Sequence, residues 1–277
     1  MPVQLPISLS SAIEMLANTP NAQLLSGGTD FMVEVNFNHR HPEHVIGLRN
    51  VKELQQWSIN SETSTVYIGA SVPYSTMETG ELAAALPALA QAARTVGSPQ
   101  IRAAGTLGGN LGTCSPAGDS LPVLSALDAT VHLASVDGER NVPFNEFMVG
   151  PKRNSRLPHE LVSGVTIPMS TGFQGYAKVG VRNAMVISVA SVCLALHNDA
   201  VSVALGSVGP TILRCPEAEQ WFNDLGAQQL TDSIATEFGA RVSAESRPID
   251  DHRSTAEYRR HAVGVLATRL LQRGYAQ

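Results

Sequence analysis

The spacing of apolar positions changes several times along the chain, and each change marks a different element. Between Thr65 and Ala70 the apolar Val66 and Ile68 alternate with Thr65 and Tyr67, the period of two that predicts a strand. Gln23–Leu25, Val45–Leu48, Ala129–Ser135 and Leu161–Pro168 are short apolar runs and also read as strands. Ile187–His197 and Val201–Ser207 form two β-rich runs joined by Asn198-Asp199, which predicts a hairpin. Helical spacing governs Glu81–Val96, with Pro87 as an internal irregularity, and returns in Cys215–Asp224, Thr231–Val242 and Ser254–Arg273. Ser11 with Glu14, and Ser254 with Glu257, read as capping boxes, and Asn18-Thr19-Pro20 stops the first helix. The apolar stripe Tyr258, Ala262, Leu266 and Leu270 predicts a core face. The texture changes within Ser170–Gly175, where a domain boundary is placed. The first part, 1–172, divides at about residue 60, and 173–277 forms the second. The order of elements predicts an α+β chain: an α/β domain first, then a smaller domain with an antiparallel sheet and helices.

Two glycine-paired stretches interrupt this pattern. The first is Leu24-Leu25-Ser26-Gly27-Gly28-Thr29-Asp30-Phe31, with Asp30–Asn36 beginning a helix; the second is Thr106-Leu107-Gly108-Gly109-Asn110. Paired glycines let a backbone turn sharply and approach a ligand with several N–H groups aligned. Such a cradle suits a pyrophosphate, above all with a helix N-terminus behind it. Gly-Gly is also ordinary turn chemistry, but two such loops with Ser26, Thr29 and Thr106 beside the glycines point to a dinucleotide held from two sides. From Gly97 to Asp119 the chain carries six glycines and two prolines, which predicts a long irregular loop of the functional kind.

Composition removes several function classes. A net charge of -5 argues against nucleic acid. No apolar run approaches the roughly 20 residues that span a bilayer, and Met1–Pro6 has no signal-peptide character, so a cytoplasmic protein is expected. Cys114, Cys193 and Cys215 are widely spaced, lack a Cys-x-x-Cys pair, and cannot ligate an iron–sulfur cluster by themselves. His39, His41 and His44 are irregularly spaced without partner ligands, so no metal site is assigned to them. Cys114 reads either as a redox-active thiol, if its pKa were lowered, or as a small loop filler. There is no catalytic triad, no paired carboxylates and no Walker lysine.

The first loop, the stretch Pro99-Gln-Ile-Arg-Ala-Ala-Gly-Thr-Leu-Gly-Gly-Asn-Leu-Gly-Thr-Cys-Ser-Pro116 with Asp119, and Arg253-Ser-Thr-Ala-Glu-Tyr-Arg-Arg260 resemble the FAD-binding (medium) subunit of the molybdenum hydroxylases, the family of xanthine dehydrogenase and carbon monoxide dehydrogenase. The likeness runs from about residue 4 to residue 272. It implies a two-part FAD-binding domain of the PCMH or vanillyl-alcohol-oxidase kind and a C-terminal flavoprotein domain. It implies FAD on this chain, with 2Fe–2S clusters on a small subunit, molybdopterin on a large one, and NAD as acceptor. By the same resemblance Leu24, Leu25, Ser26, Gly27, Gly28, Thr29, Asp30 and Phe31 bind FAD, as do Val96, Ile101, Thr106, Leu107, Gly108, Gly109, Asn110 and Thr113. Thr106–Asn110 would be a pyrophosphate strand-turn whose glycines admit the phosphates. Asp119 would touch FAD or else cap a helix. Val162 would offer backbone, and Lys178 would set a cation against the flavin or else be a solvated strand lysine.

The Gly-Gly-Thr-Asp loop is closer to purine and azaarene dehydrogenases than to the carbon monoxide enzymes, whose loop tends to carry His after the glycines. A xanthine dehydrogenase-like subunit is the leading reading. Subunits acting on carbon monoxide, aldehyde or nicotinate are alternatives. So are a free-standing FAD oxidoreductase, for which no substrate-facing acid or base is evident, and a non-enzymatic nucleotide-binding module.

Overall fold

The computed structural model describes residues 2–197, 200–226 and 229–276. A small parallel sheet opens the chain, with β1 (Val3–Gln4), β2 (Gln23–Leu25) and β3 (Val45–Gly47) in the order β1-β3-β2. Helix α1 (Leu9–Asn18) lies between β1 and β2, and α2 (Phe31–Asn36) follows the first glycine loop. The α1 cap is Ser8, whose hydroxyl accepts from the Ser11 amide at 3.2 Å, so the helix starts one turn before the predicted capping box.

The second sheet is antiparallel. β4 (Trp57–Asn60) pairs with β5 (Thr65–Gly69), so any division of the first part falls before Trp57 rather than after residue 60. The predicted Glu81–Val96 helix is two: α3 (Tyr74–Met77) leads to α4 (Gly80–Ala85) and α5 (Pro87–Thr95). Leu86 breaks away at φ -130°, because Pro87 disfavours helical geometry in the residue before it. The stretch expected to be an irregular loop carries two helices, α6 (Pro99–Ala104) and α7 (Leu107–Thr113), followed by α8 (Leu121–Ala126). β6 (Thr130–Ser135), β7 (Gly138–Pro143), α9 (Phe144–Phe147), the ribbon β8 (Met148–Gly150) and β9 (Arg153–Asn154), then β10 (Leu161–Pro168) complete this part. The sheet order is β4-β5-β10-β6-β7.

The last part is a four-stranded antiparallel sheet of β11 (Gln174–Val179), β12 (Ala190–His197), β13 (Ala200–Gly206) and β14 (Leu213–Arg214), in that order. The β12–β13 pairing matches the predicted hairpin, while Asn198-Asp199 lies outside the described residues. Helices α10 (Pro216–Leu225), α11 (Asp232–Glu245) and α12 (Ala256–Tyr275) follow. The α12 cap is Thr255, accepting from the Tyr258 amide at 3.2 Å, one residue beyond the predicted Ser254. Tyr258 is exposed, and the buried face of α12 runs through Arg259, Val263, Ala267 and Leu270 with Ala262 and Leu271, so the predicted stripe is rotated at its start.

The period of two explains how the parts join. Val192, Leu194, Val203 and Leu205 pack into one buried cluster with Phe222, Phe238 and Leu270. Their neighbours Cys193, Ala195 and Ala204 face the other cluster, which contains the core of residues 12–167. Small residues on that second face let β12 and β13 approach α8 closely. Among the described residues no helix is long and apolar enough to cross a membrane.

Candidate functional site

The two glycine stretches, 80 residues apart, meet: Ser26 Oγ and Thr106 Oγ1 are hydrogen-bonded at 2.8 Å, and Thr113 Oγ1 donates to Asp30 Oδ2 at 3.2 Å. Between them opens a cavity of about 800 Å³, toward the upper end of the usual size for a small-molecule site. Leu24, Ser26, Gly27, Gly28, Thr29, Asp30 and Phe31 line it. So do Val96, Ile101, Thr106, Gly108, Gly109, Asn110, Thr113, Asp119 and Val162. Leu25 stands outside the lining, Leu107 is wholly buried in the core, and Lys178 sits behind Asp119.

The stretches offer different chemistry. After β2 the chain turns through Gly28 at φ +74°, a conformation glycine adopts without strain. Among the described residues the amides of Gly27, Gly28 and Thr29 donate to no protein acceptor, while the next amide in helical register, Met32, returns to the Gly28 carbonyl. Those open N–H groups form a concavity suited to an anion. The second stretch is not a strand-turn of open amides, and its first-turn donors are consumed. Leu107 N goes to Val72 O, Gly108 N to Ala70 O, Gly109 N to Thr106 Oγ1 and Asn110 N to Thr106 O. It contributes side chains and space instead. Gly108 is glycine because a Cβ there would lie 2.6 Å from the Ala70 carbonyl oxygen, a contact within the protein rather than with a ligand. Asn110 Oδ1 accepts from Ser120 Oγ at 2.7 Å, and among the described residues its side-chain Nδ2 has no protein acceptor.

Asp119 is buried and touches the cavity. Its Oδ2 accepts from Lys178 Nζ at 2.6 Å and Thr95 Oγ1 at 3.1 Å, and its Oδ1 from Tyr176 Oη at 2.9 Å. Burial pushes the carboxyl above the usual carboxylate range, while the Lys178 charge and these donors pull it back. Asp119 is not a helix cap, since Ser120 occupies that position before α8. The remaining Lys178 donors go to the carbonyls of Thr95 at 2.9 Å and Val186 at 3.1 Å. An ammonium has three hydrogens, so none is left for a ligand. Lys178 is neither a solvated lysine nor one that can donate into the cavity. It ties α5, Asp119 and the Val186 segment together.

Sequence reasoning passed over Arg40, Arg156 and the apolar rim of Met185, Val186 and Ile187. Arg40 lies 4.7 Å above the Phe31 ring and pairs with Glu34 at 2.8 Å. The Lys152 hydrogen bond, with help from Arg40, holds the Glu34 carboxyl below its ordinary range. These residues sit in segments without a motif, and only the fold brings them to the cavity. Cys114 is buried at φ +51°, ending α7, and burial pushes its thiol up to about 12, which removes the redox-active reading. Among the described residues no three His, Cys, Asp or Glu side chains converge on a metal site; His39 stacks on Phe37 instead.

Comparison with known proteins covers both parts. A family model described as the FAD binding domain in molybdopterin dehydrogenase matches residues 2–170, and one described as the CO dehydrogenase flavoprotein C-terminal domain matches residues 176–273. The glyceraldehyde dehydrogenase medium chain of Sulfolobus acidocaldarius is 30% identical over 94% of this chain and 92% of its own. The xanthine dehydrogenase FAD-binding subunit of Escherichia coli O157:H7 is 30% identical over 97% of this chain and 94% of its own. A solved carbon monoxide dehydrogenase of Hydrogenophaga pseudoflava superimposes with a TM-score of 0.91 at 26% identity, covering 100% of this chain and 97% of the matched one.

Proposed function

The chain belongs to the FAD-binding medium subunits of the molybdenum hydroxylase family, and from that premise we propose that its cavity holds FAD as the electron exit of a heteromeric enzyme that hydroxylates a purine-like N-heterocycle and reduces NAD. The observation that carries the reading is the open row of amides at Gly27, Gly28 and Thr29, at the edge of a cavity long enough to reach Asp119 and the Val186 rim. Bound FAD supplies the exchange between single electrons and a hydride. The chain's own residues bind and orient it. The first loop offers amide dipoles to the diphosphate, Ser26, Thr106 and Thr113 offer hydroxyls, and Asp119 lines the cavity beside them. Leu25 and Leu107 support from behind, and Lys178 holds Asp119 in place.

With three cysteines in the chain, the 2Fe–2S clusters and the molybdopterin are assigned to small and large partner subunits. The three thiols are unpaired and buried, in keeping with a cytoplasmic complex. The chain is proposed to divide at Ser170–Gly175 into FAD-binding and C-terminal flavoprotein domains. A heterocyclic substrate is favoured by Thr29 after the glycine pair and by relatives named for xanthine, nicotinate and caffeine. Others are named for glyceraldehyde and carbon monoxide. Those relatives are named dehydrogenases, which favours NAD over oxygen. The test is affinity capture of the tagged chain from its own source, with flavin, iron and molybdenum assayed and xanthine, nicotinate, glyceraldehyde and carbon monoxide supplied in turn with NAD. A yellow complex of three chains that reduces NAD with a heterocycle is expected. A colourless chain, or one that turns over substrate without partners, would overturn the proposal.

A further inference from the structure

We propose that Arg156 is a cofactor-binding residue whose guanidinium holds the diphosphate of FAD. The inference rests on the cavity being the FAD site and adds a residue that neither the glycine motifs nor the resemblance assigns. Among the described residues two cations line the cavity, Arg40 and Arg156. Arg40 is committed to Glu34 and to the face of Phe31. Among the described residues Arg156 is anchored through one nitrogen: Nη1 donates to the carbonyls of Leu157, Pro158 and Glu160. Among the described residues its Nε and Nη2 have no protein acceptor, and neither is among the closed-off buried atoms, so both are reached from solvent. The nearest carboxylate does not use them. Glu160 accepts from Arg140 at 2.9 and 2.8 Å and from the Leu157 amide at 2.7 Å.

The segment is held rigidly against the glycine-rich helix. Asn154 Nδ2 donates to Leu111 O at 3.2 Å, and Asn154 Oδ1 accepts the Arg156 amide at 3.3 Å. Arg156 therefore stands two residues from a clamp on the last turn of α7, whose Gly112 and Thr113 line the cavity. A half-buried cation with two adjacent open donors is a fork for an oxyanion. The first loop supplies amide dipoles without a full charge. The one anionic group of FAD is its diphosphate, and Arg156 is the lining cation left to neutralise it.

The experiment titrates the full-length apo-chain with FAD, and then displaces FAD with ADP or with riboflavin, for wild type, Arg156→Lys and Arg156→Gln. Arg156→Lys keeps a charge that can still cap the carbonyls but loses the fork. A loss of at least tenfold in FAD and ADP affinity in both variants is expected, with the riboflavin affinity obtained from the displacement unchanged and the thermal midpoint of the free Arg156→Lys chain unchanged. Unaltered FAD affinity would overturn the assignment. So would an equal loss for riboflavin, which carries no phosphate, because that would mark a packing role. Wild-type chain that binds no FAD would instead remove the cofactor reading on which the inference stands.

Discussion

Single glycines decide whether the two loops can meet. At Gly27 a Cβ would lie 1.8 Å from the Ala104 carbonyl oxygen and 2.6 Å from its carbon, both backbone atoms that cannot swing away. Gly27→Ala is therefore expected to force the first loop from α6 and cost about 2–3 kcal/mol, the upper part of the roughly 1–3 kcal/mol typical of overpacking. For a chain of this size that lowers the thermal midpoint by roughly 4–12 °C; an unchanged midpoint would show the loops to be loosely apposed. Gly109 differs. Its Cβ would sit 3.1 Å from Thr106 Oγ1 and 3.8 Å from Ser26 Cβ, contacts that small adjustments relieve. Gly109→Val is expected to fold with a similar midpoint but purify without flavin, because the branched side chain fills space among the lining hydroxyls. Full flavin occupancy would contradict that. Both glycine pairs are legible in the sequence, since Gly-Gly with flanking hydroxyls stands out against any helix or strand pattern. The cause is less so: Gly27 and Gly108 are glycine for contacts with protein backbone, and no local pattern shows a neighbour that distant.

Among elements, α7 was the hardest to read. Three of its seven residues are glycine, and each costs about 1 kcal/mol in a helix, so local propensity argues for a loop. Tertiary contacts win, with Thr106 capping one end and Ala70 and Val72 accepting first-turn amides. The Asp119–Lys178 pair was hidden for another reason, since 59 residues separate its members and neither lies in a pattern that requires the other. Their side chains are 8% and 9% exposed. Removing one member of such a buried pair leaves a charge without a partner, which costs about 3–5 kcal/mol. Lys178→Met is expected to destabilise by that amount in chemical denaturation, and adding Asp119→Asn should recover part of the loss. A double variant no better than the single would mean that the ammonium matters through Thr95 and Val186 alone. A second pair carries a pH signature. Hydrogen bonds from Arg140 hold the Glu160 carboxyl below its ordinary value of 4.5, against the opposing effect of burial. A depressed carboxylate stabilises the fold above the unfolded pKa and loses that contribution as pH falls through the folded one. Wild type is thus expected to lose stability below about pH 4.5 more steeply than Glu160→Gln; superimposable acid-unfolding curves would remove this pair from the account.

At the scale of the whole molecule, both parts of the fold line the cavity, and among the described residues no group poised to activate an organic substrate is evident. Asp119, the one buried carboxylate lining the cavity among the described residues, is occupied by three donors. The thiols of Cys114, Cys193 and Cys215 are pushed up by burial and cannot serve as ready thiolates. The proposed division of labour between subunits makes a direct prediction. Loaded with FAD, the isolated chain is expected to pass electrons from NADH to an artificial dye, because that exchange needs only a flavin and a surface where a nicotinamide can rest. The half-exposed Met185 and Ile187 at the cavity rim provide an apolar one. The same preparation should leave xanthine and other N-heterocycles unchanged until the iron–sulfur and molybdenum subunits are added, whereupon substrate-driven NAD reduction appears. Rates are compared for chain and complex with one substrate and one acceptor. Heterocycle oxidation by the lone chain at the rate of the complex would make it a free-standing flavoenzyme. Dye reduction absent from an FAD-loaded chain would place the nicotinamide surface on a partner instead.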